Sequence, residues 1–250
     1  MSELQSASDL PAEYLSALAS ANLQPLWPSL RTLISHGAPA RSSIPMHWNY
    51  PQVRELLIQA GDLTPIEKAE RRVLVLCNPG LGIDNLQATP SIYIGLQLIL
   101  PGEDAPNHRH SPSAIRLIVE GAGGFTTVEG ERLPMEPGDL ILTPSGLWHE
   151  HGHTGSEPVI WMDALDLPLI YYLETSQAQE APLQHAPIRP DSSQTKFRRA
   201  GLLPYSQLHD RNPYPMLRYP WKEAREALTE LAGATDRDAL VQLAYVNPVT

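Results

Sequence analysis

The chain has 250 residues, enough to bury one good-sized core, and its 18 basic and 28 acidic residues give a formal net charge of −10. This charge argues against nucleic acid and anionic membrane as partners. The sequence also lacks an apolar run long enough to span a bilayer and a basic-then-apolar secretory leader, and its single cysteine, Cys77, excludes an intramolecular disulfide. We therefore expect a cytoplasmic protein with no membrane span.

The N-terminal part of the chain carries the spacing of helices. Apolar side chains recur about every 3.6 residues in 10–36, where prolines interrupt the pattern, and again in 46–63. The second segment has Pro51 near its start and Gly61 near its end, as helices often do. Residues 1–70 are thus predicted to form an N-terminal helical arm.

The strands of a β domain are predicted for residues 71–173. The run RRVLVLC opens this region, and SIYIGLQLILPGE follows as a buried strand. Gln97 is the polar side chain inside that strand, so it requires a hydrogen-bonding partner from the protein or from a substrate. On the later strand EPVIWMDALDLPL, the side chains of Trp161 and Asp163 share one face.

The last third of the chain is expected to form a linker and a helix, residues 174–250. Residues 174–194 are polar and rich in proline, which is typical of a solvated linker. A helical pattern follows at 221–232. The final apolar stretch, 238–246, has no partner strands of its own within the chain, so we expect it to pair with another chain in a homo-oligomer.

Two histidine-bearing segments, GEDAPNHRH and GDLILTPSGLWHEHGH, hold most of the residues that can do chemistry. His108 and His110 are two residues apart, so a strand places both imidazoles on one face. An antiparallel neighbour would bring His149 across from them, which predicts a metal site of three imidazoles. Three histidines suit non-heme iron and zinc alike, so the ligand type alone leaves the metal open.

These segments resemble the two sequence motifs of the cupin family. The matching positions are Gly102, His108, His110 and Gly123 for the first motif, and Gly138, Pro144, Gly146 and His149 for the second. The surrounding segments LQLILPGE, SAIR and WMDALDLPL resemble a narrower group, the gentisate 1,2-dioxygenase family with its salicylate and 1-hydroxy-2-naphthoate relatives. This resemblance covers roughly residues 45 to 250.

The resemblance implies an all-β fold, a cupin (jelly-roll) barrel at 71–173 with flanking N-terminal and C-terminal α-helices. In that family a second cupin barrel follows at about the point where this sequence stops, and we expect it to be absent here. The implied cofactor is Fe(II), held by His108, His110 and His149. The implied reaction is the cleavage of gentisate, a small aromatic acid, with O2 to give maleylpyruvate.

This sequence departs from the general cupin pattern at two points. Ala114 and Ile115 stand where that pattern has a glutamate ligand, and this departure agrees with the gentisate branch, which uses three histidines. His153 stands where the pattern has an asparagine. We assign His153 no role at the site.

The resemblance also assigns residues around the metal. Catalytic roles fall to His151, Asp163 and Arg116, and substrate binding to Arg72, Gln97, Arg116 and Trp161. Each assignment has a structural alternative: a surface ion pair for Arg116, an exchange of roles between Arg72 and its neighbour Arg71, a loop histidine for His151, and a core aromatic with a turn carboxylate for Trp161 and Asp163.

Other functions remain open at this point. The substrate could be salicylate or 1-hydroxy-2-naphthoate instead of gentisate. The same three histidines could serve a non-redox metal-dependent cupin, and a truncated or metal-free binding module would have the fold without the chemistry.

Overall fold

The computed structural model describes the chain over residues 6–190, 193–199, 205, 216–234 and 241–245. The chain divides into two compact units, Met1–Ile44 and Pro45–Thr250. The first unit contains the helices α1 (Ala12–Ser20) and α2 (Leu30–Leu33), in the segment where helical spacing predicts them. The predicted domain boundaries at residues 70 and 173 stay a prediction.

The second unit contains the remaining helices and all the described strands. The helices are α3 (Tyr50–Leu63), α4 (Ile66–Ala69), α5 (Leu167–Tyr172), α6 (Ser193–Phe197) and α7 (Trp221–Ala234). The strands are β1 (Arg72–Val75), β2 (Tyr93–Ile99), β3 (Asp104–His110), β4 (Ala114–Glu120), β5 (Gly124–Val128), β6 (Glu131–Pro134), β7 (Leu140–Thr143), β8 (His149–His153), β9 (Val159–Leu165), β10 (Ala178–Glu180) and β11 (Arg218–Tyr219). Across the described ranges, no helix is long and apolar enough to span a membrane.

The strands form two antiparallel sheets that enclose the core. Their orders are β1-β2-β9-β4-β7-β11 and β10-β3-β8-β5-β6. Apolar side chains from both sheets meet in one cluster, which includes Ile118 and Trp161 from the first sheet and Val128 and Leu133 from the second. The predicted all-β cupin fold with flanking helices is confirmed, but over the described residues its strands form two facing sheets and not a closed barrel.

Helix α3 covers part of the outer face of the six-stranded sheet. Asn49 caps its first turn by accepting a hydrogen bond from the Gln52 N–H, 3.2 Å away. Leu57 is fully buried against Leu98 and Ile160 on that face. The helix therefore belongs to the second unit and packs directly on the sheet behind the predicted site.

A β-bulge in β3 decides which way the predicted ligands face. Ala105 lies opposite His151 and His108 lies opposite His149, so three steps along β3 match two steps along β8. The extra residue falls at Pro106 and Asn107, where a proline is compatible with a break in the ladder. In a regular strand, Ala105 and His108 would face opposite sides of the sheet. The inserted residue places both on one side, so that His108 faces the same side as His149.

The predicted linker contributes to the second sheet. Ala178–Glu180 forms β10, which pairs with β3 along its outer edge, and the Arg189 N–H donates to the Gly130 carbonyl at 2.8 Å. The segment is exposed, as its composition predicts, but it is also tied to the sheet. Of the predicted apolar end at 238–246, only 241–245 falls within the described residues, and there it forms neither helix nor strand.

A buried carboxylate fastens the C-terminal helix to the sandwich. Asp139 is 1% exposed and accepts hydrogen bonds from the Arg218 guanidinium at 2.7 and 2.6 Å and from the Trp221 backbone N–H at 2.8 Å. Gly138 beside it has φ of +89°, and a Cβ there would lie 2.5 Å from the Trp221 ring. The Gly138-Asp139 turn of the second cupin motif is thus the docking point of α7.

We expect Asp139→Ala to lower the free energy of unfolding by about 3–5 kcal/mol, because it leaves the mostly buried Arg218 guanidinium without its main partner. Glu136→Gln is the matched control, since Glu136 contacts the same guanidinium at 3.1 Å but is 64% exposed. It should cost at most about 1 kcal/mol. Urea denaturation of both variants checks this, and equal losses would contradict the assignment of the anchor to Asp139.

Candidate active site

Three imidazoles converge between the two sheets. His108 and His110 project from β3 and His149 from the neighbouring β8, and one ring nitrogen of each lies within 4.8 Å of the others. The ring centroids of His108 and His110 are 4.1 and 4.7 Å from that of His149. The structure thus brings together the three predicted ligands, with His149 opposite His108 as an antiparallel pairing requires.

Backbone carbonyls fix the orientation of all three rings. Each Nδ1 donates to a carbonyl two residues away: His108 to Pro106 at 2.7 Å, His110 to Pro112 at 2.7 Å and His149 to Leu147 at 3.0 Å. A carbonyl only accepts, so the proton of each neutral ring sits on Nδ1 and the Nε2 lone pair is free. The Nε2 of His149 is a buried atom without a hydrogen-bond partner, which a divalent ion would satisfy.

The surroundings keep these histidines neutral. Burial, aided by the nearby Arg71 cation, lowers the pKa of His108 to about 3. Burial likewise lowers the pKa of His110, and it lowers that of His149 well below the ordinary value with help from Arg116. The rings are therefore ready to bind a metal at neutral pH without first losing protons. Neutral ligands would leave the ion its full charge.

A cavity of about 430 Å³ lies beside the three histidines, a volume suited to a small molecule. Besides His108 and His110, its polar lining includes Arg71, Tyr93, Gln97, Arg116, His151 and Asp163. Residues 176–178, which lead into β10, form part of its wall. A larger groove of about 930 Å³ lies along α7, but it is lined mainly by apolar side chains and contains none of the converging histidines.

A buried ion pair stands on one wall of this cavity. Arg116 and Asp163 are directly opposite each other on β4 and β9, and the Nε of Arg116 lies 3.0 Å from the Oδ1 of Asp163. The Arg116 Nη1 also donates to the Thr143 hydroxyl. Burial raises the pKa of the Asp163 carboxyl, and the Arg116 guanidinium opposes that rise. Both groups predicted for substrate handling are thus inside the sandwich, which excludes a surface ion pair for Arg116.

The structure places Arg72, predicted to bind substrate, outside the lining of the cavity. Val73 pairs with Gln97 and Arg72 with Leu98, so alternate residues of β1 face opposite sides of the sheet. Arg71 reaches the solvent-accessible side of the cavity, whereas Arg72 points away and pairs with Glu103. Arg71, and not Arg72, thus occupies the position at the cavity, which is the alternative that the sequence left open.

Trp161 also differs from its predicted place. Its side chain is fully buried in the core cluster and is not part of the cavity lining, although the Gln97 opposite it on β2 is. Its Nε1–H donates to the Oδ2 of Asp163 at 2.9 Å, and its ring centroid is 5.3 Å from that of His151. Trp161 thus contacts two residues of the cavity lining, Asp163 and His151.

His151 lines the cavity beside the metal ligands. It is 2% exposed, its Nδ1 lies 2.9 Å from the Thr126 hydroxyl, and burial together with Arg116 lowers its pKa well below the ordinary value. His153 is different: its Nε2 donates to the Glu157 carbonyl and its Nδ1 accepts the Gly155 N–H. Both nitrogens of His153 serve the backbone, so it has no part in the cavity.

Sequence reasoning missed Tyr93. Burial raises the pKa of its phenol to about 12, and the Asp163 carboxylate contributes to the rise. Tyr93 shares the inward face of β2 with Gln97, so the parity that singled out Gln97 could have found it. The Tyr93 hydroxyl lies over Gly95, between these two residues. A Cβ at position 95 would be only 2.5 Å from that hydroxyl, so the glycine leaves room for the phenol.

The chain is similar to known proteins over nearly its whole length. The Cupin domain family matches residues 95–165. A gentisate 1,2-dioxygenase from Ralstonia sp. is 52% identical over 99% of this chain and 70% of its own length. Gentisate 1,2 dioxygenase 1 from Aquipseudomonas alcaligenes is 40% identical over 95% of this chain and 69% of its own. The solved salicylate 1,2-dioxygenase from Pseudoaminobacter salicylatoxidans, determined with gentisate, superposes with a TM-score of 0.86 at 32% identity, covering 97% of this chain and 69% of that one.

Single substitutions should separate the ligands from their neighbour. His108→Ala, His110→Ala and His149→Ala each remove one convergent lone pair, so we expect each variant to lose bound metal. His151→Ala should keep its metal, because the ring nitrogens of His151 are not among those that converge. Metal content per chain after anaerobic loading and desalting measures this, and an empty His151→Ala beside a loaded His149→Ala would overturn the assignment.

Proposed function

We propose that this chain, which belongs to the gentisate 1,2-dioxygenase family, cleaves the ring of gentisate with O2 at an Fe(II) centre to give maleylpyruvate. It is an oxidoreductase, a ring-cleaving dioxygenase with a three-histidine metal site. The observation that carries the finer assignment is the charge of that site. Within the described residues no carboxylate joins the three neutral imidazoles, and two arginines face the cavity beside them.

The charge balance supports an anionic aromatic substrate. The guanidiniums of Arg71 and Arg116 and the carboxylate of Asp163 leave a cavity of net charge +1 before any metal is counted. A divalent ion would make the site still more positive. A 2-hydroxybenzoate brings two negative charges, on its carboxylate and its phenolate, that would partly neutralise it. Fe(II) held by His108, His110 and His149 would bind these oxygens and supply the redox chemistry toward O2.

The protein's own residues would bind and orient the substrate. Arg71 offers a planar fork to the carboxylate from the solvent-accessible side, and Arg116 is held rigidly by Asp163 and the Thr143 hydroxyl. Gln97 and Tyr93 present hydrogen-bonding groups along the facing strand. His151 and Asp163 are the cavity groups able to hold a proton near the reacting atoms.

Salicylate is the second candidate substrate, because the solved structural relative is a salicylate 1,2-dioxygenase. Gentisate carries one more ring hydroxyl than salicylate, and the polar lining of Tyr93, Gln97 and Asp163 favours the substrate that has this hydroxyl. The homo-oligomer and the cytoplasmic location stay predictions from the sequence.

Oxygen uptake tests the proposal directly. Metal-free protein is loaded anaerobically with Fe(II), and O2 consumption is followed with gentisate, salicylate and 1-hydroxy-2-naphthoate while the ring-opened product is identified by mass. We expect uptake with gentisate at one O2 per product. Protein loaded with Zn(II), which has no redox chemistry, is the control and should stay inactive. Turnover with Zn(II), or none with Fe(II), would point to a non-redox cupin or a binding module.

The two neighbouring arginines provide a matched test of the cavity. Arg71→Gln should raise the KM for gentisate about tenfold, the equivalent of about 1.4 kcal/mol, because the lost fork is partly accessible to solvent. Arg72→Gln should leave KM nearly unchanged and instead lower the urea midpoint, since it breaks the buried pair with Glu103. The reverse pattern would return the substrate role to Arg72.

A further inference from the structure

The four histidines that surround the metal site differ in the partner of their Nδ1 atoms. His108, His110 and His149 face carbonyl oxygens, which can only accept a hydrogen bond. His151 faces the Thr126 hydroxyl, which can also donate. Only for His151 can the ring proton therefore lie on the other nitrogen.

The register of β5 and β8 produces this difference. Thr126 lies directly opposite His151, whereas the residue opposite His149 is Val128, which has no hydrogen-bonding group in its side chain. The Trp161 ring packs near the His151 imidazole, 5.3 Å between centroids. The imidazole is thus held between a hydroxyl and an indole, with little freedom to turn.

The surroundings of the Thr126 hydroxyl decide the direction of the hydrogen bond. Thr126 is 0% exposed, and among the described residues the partner of its hydroxyl is the Nδ1 of His151. If Nδ1–H donated, the hydroxyl proton would be buried without an acceptor. An unpaired buried donor disfavours that arrangement by about tenfold to a hundredfold. The hydroxyl therefore donates, and the single proton of the neutral ring lies on Nε2.

We propose that Thr126 is a positioning residue that fixes His151 as the Nε2–H tautomer, so that His151 offers the cavity a hydrogen-bond donor where the three ligands offer lone pairs. This tautomer excludes His151 as a fourth ligand to the ion, although it stands next to the ligands on the same face. It also places a proton where a substrate oxygen or a developing negative charge can accept it. The catalytic consequence rests on the proposed dioxygenase function, whereas the tautomer itself does not.

Nitrogen NMR of the zinc-loaded protein, labelled with ¹⁵N-histidine, tests the tautomer. The chain has 9 histidines, and the signals of His151 are identified by their loss in His151→Gln. We expect wild type and Thr126→Ser, which keeps the hydroxyl, to show a protonated Nε2 on His151. Thr126→Val keeps the shape without the donor, and its His151 should populate the Nδ1–H form. A wild-type His151 protonated on Nδ1, or a tautomer unchanged in Thr126→Val, would overturn the proposal.

Kinetics of the iron-loaded enzyme tests the consequence. Thr126→Val should bind iron in full and keep the KM for gentisate within about threefold, while its kcat falls about ten- to a hundredfold. Thr126→Ser should recover most of the kcat. A wild-type kcat in Thr126→Val, or loss of iron from it, would overturn the positioning role. If Thr126→Val fails to fold, the wild-type and Thr126→Ser spectra still decide the tautomer. A wild type inactive with gentisate would refute the proposed function and leave the NMR result standing.

Discussion

The site depends first on hydrogen bonds that no ligand or substrate touches, those from the Nδ1 atoms of His108, His110 and His149 to backbone carbonyls. They hold three ring protons away from the centre and so turn three lone pairs toward one point. Each bond spans only two residues, so the chain segments that carry the histidines also orient them. Burial then keeps the rings neutral. The capacity of the three histidines to hold a divalent ion follows from this arrangement.

The electrostatics of the cavity run against those of the whole molecule. The chain carries a net charge of −10, yet its cavity concentrates two guanidiniums beside a cation site. Arg116 can remain charged inside the sandwich because Asp163 faces it from the next strand, and Asp163 is in turn held by the Trp161 indole. The result is a small positively charged region, which suits the anionic substrate proposed above, within a protein of negative net charge.

The sequence predicted what local parity determines and missed what depends on long-range register. The spacing of His108 and His110, and an antiparallel partner for His149, follow from the two motifs alone. Whether Arg71 or Arg72 faces the cavity depends on how β1 pairs with β2, across a loop of 17 residues from Leu76 to Ile92 whose length carries no register information. The resemblance to a family thus predicts which residues belong to a site, but the pairing of the strands determines which face of the sheet each side chain occupies.

The bulge at Pro106 and Asn107 affects which insertions and deletions the gene can tolerate during evolution. Loss of one codon there would restore a regular ladder between β3 and β8 and would leave His108 opposite His149, because the bulge already holds Ala105 and His108 on one face of the sheet. The core cluster contains no residue of β3, so the sandwich itself has little to lose. This part of β3 can therefore change in length without loss of the metal site, whereas loss of Arg109 would make the two histidines adjacent and turn one imidazole to the other face.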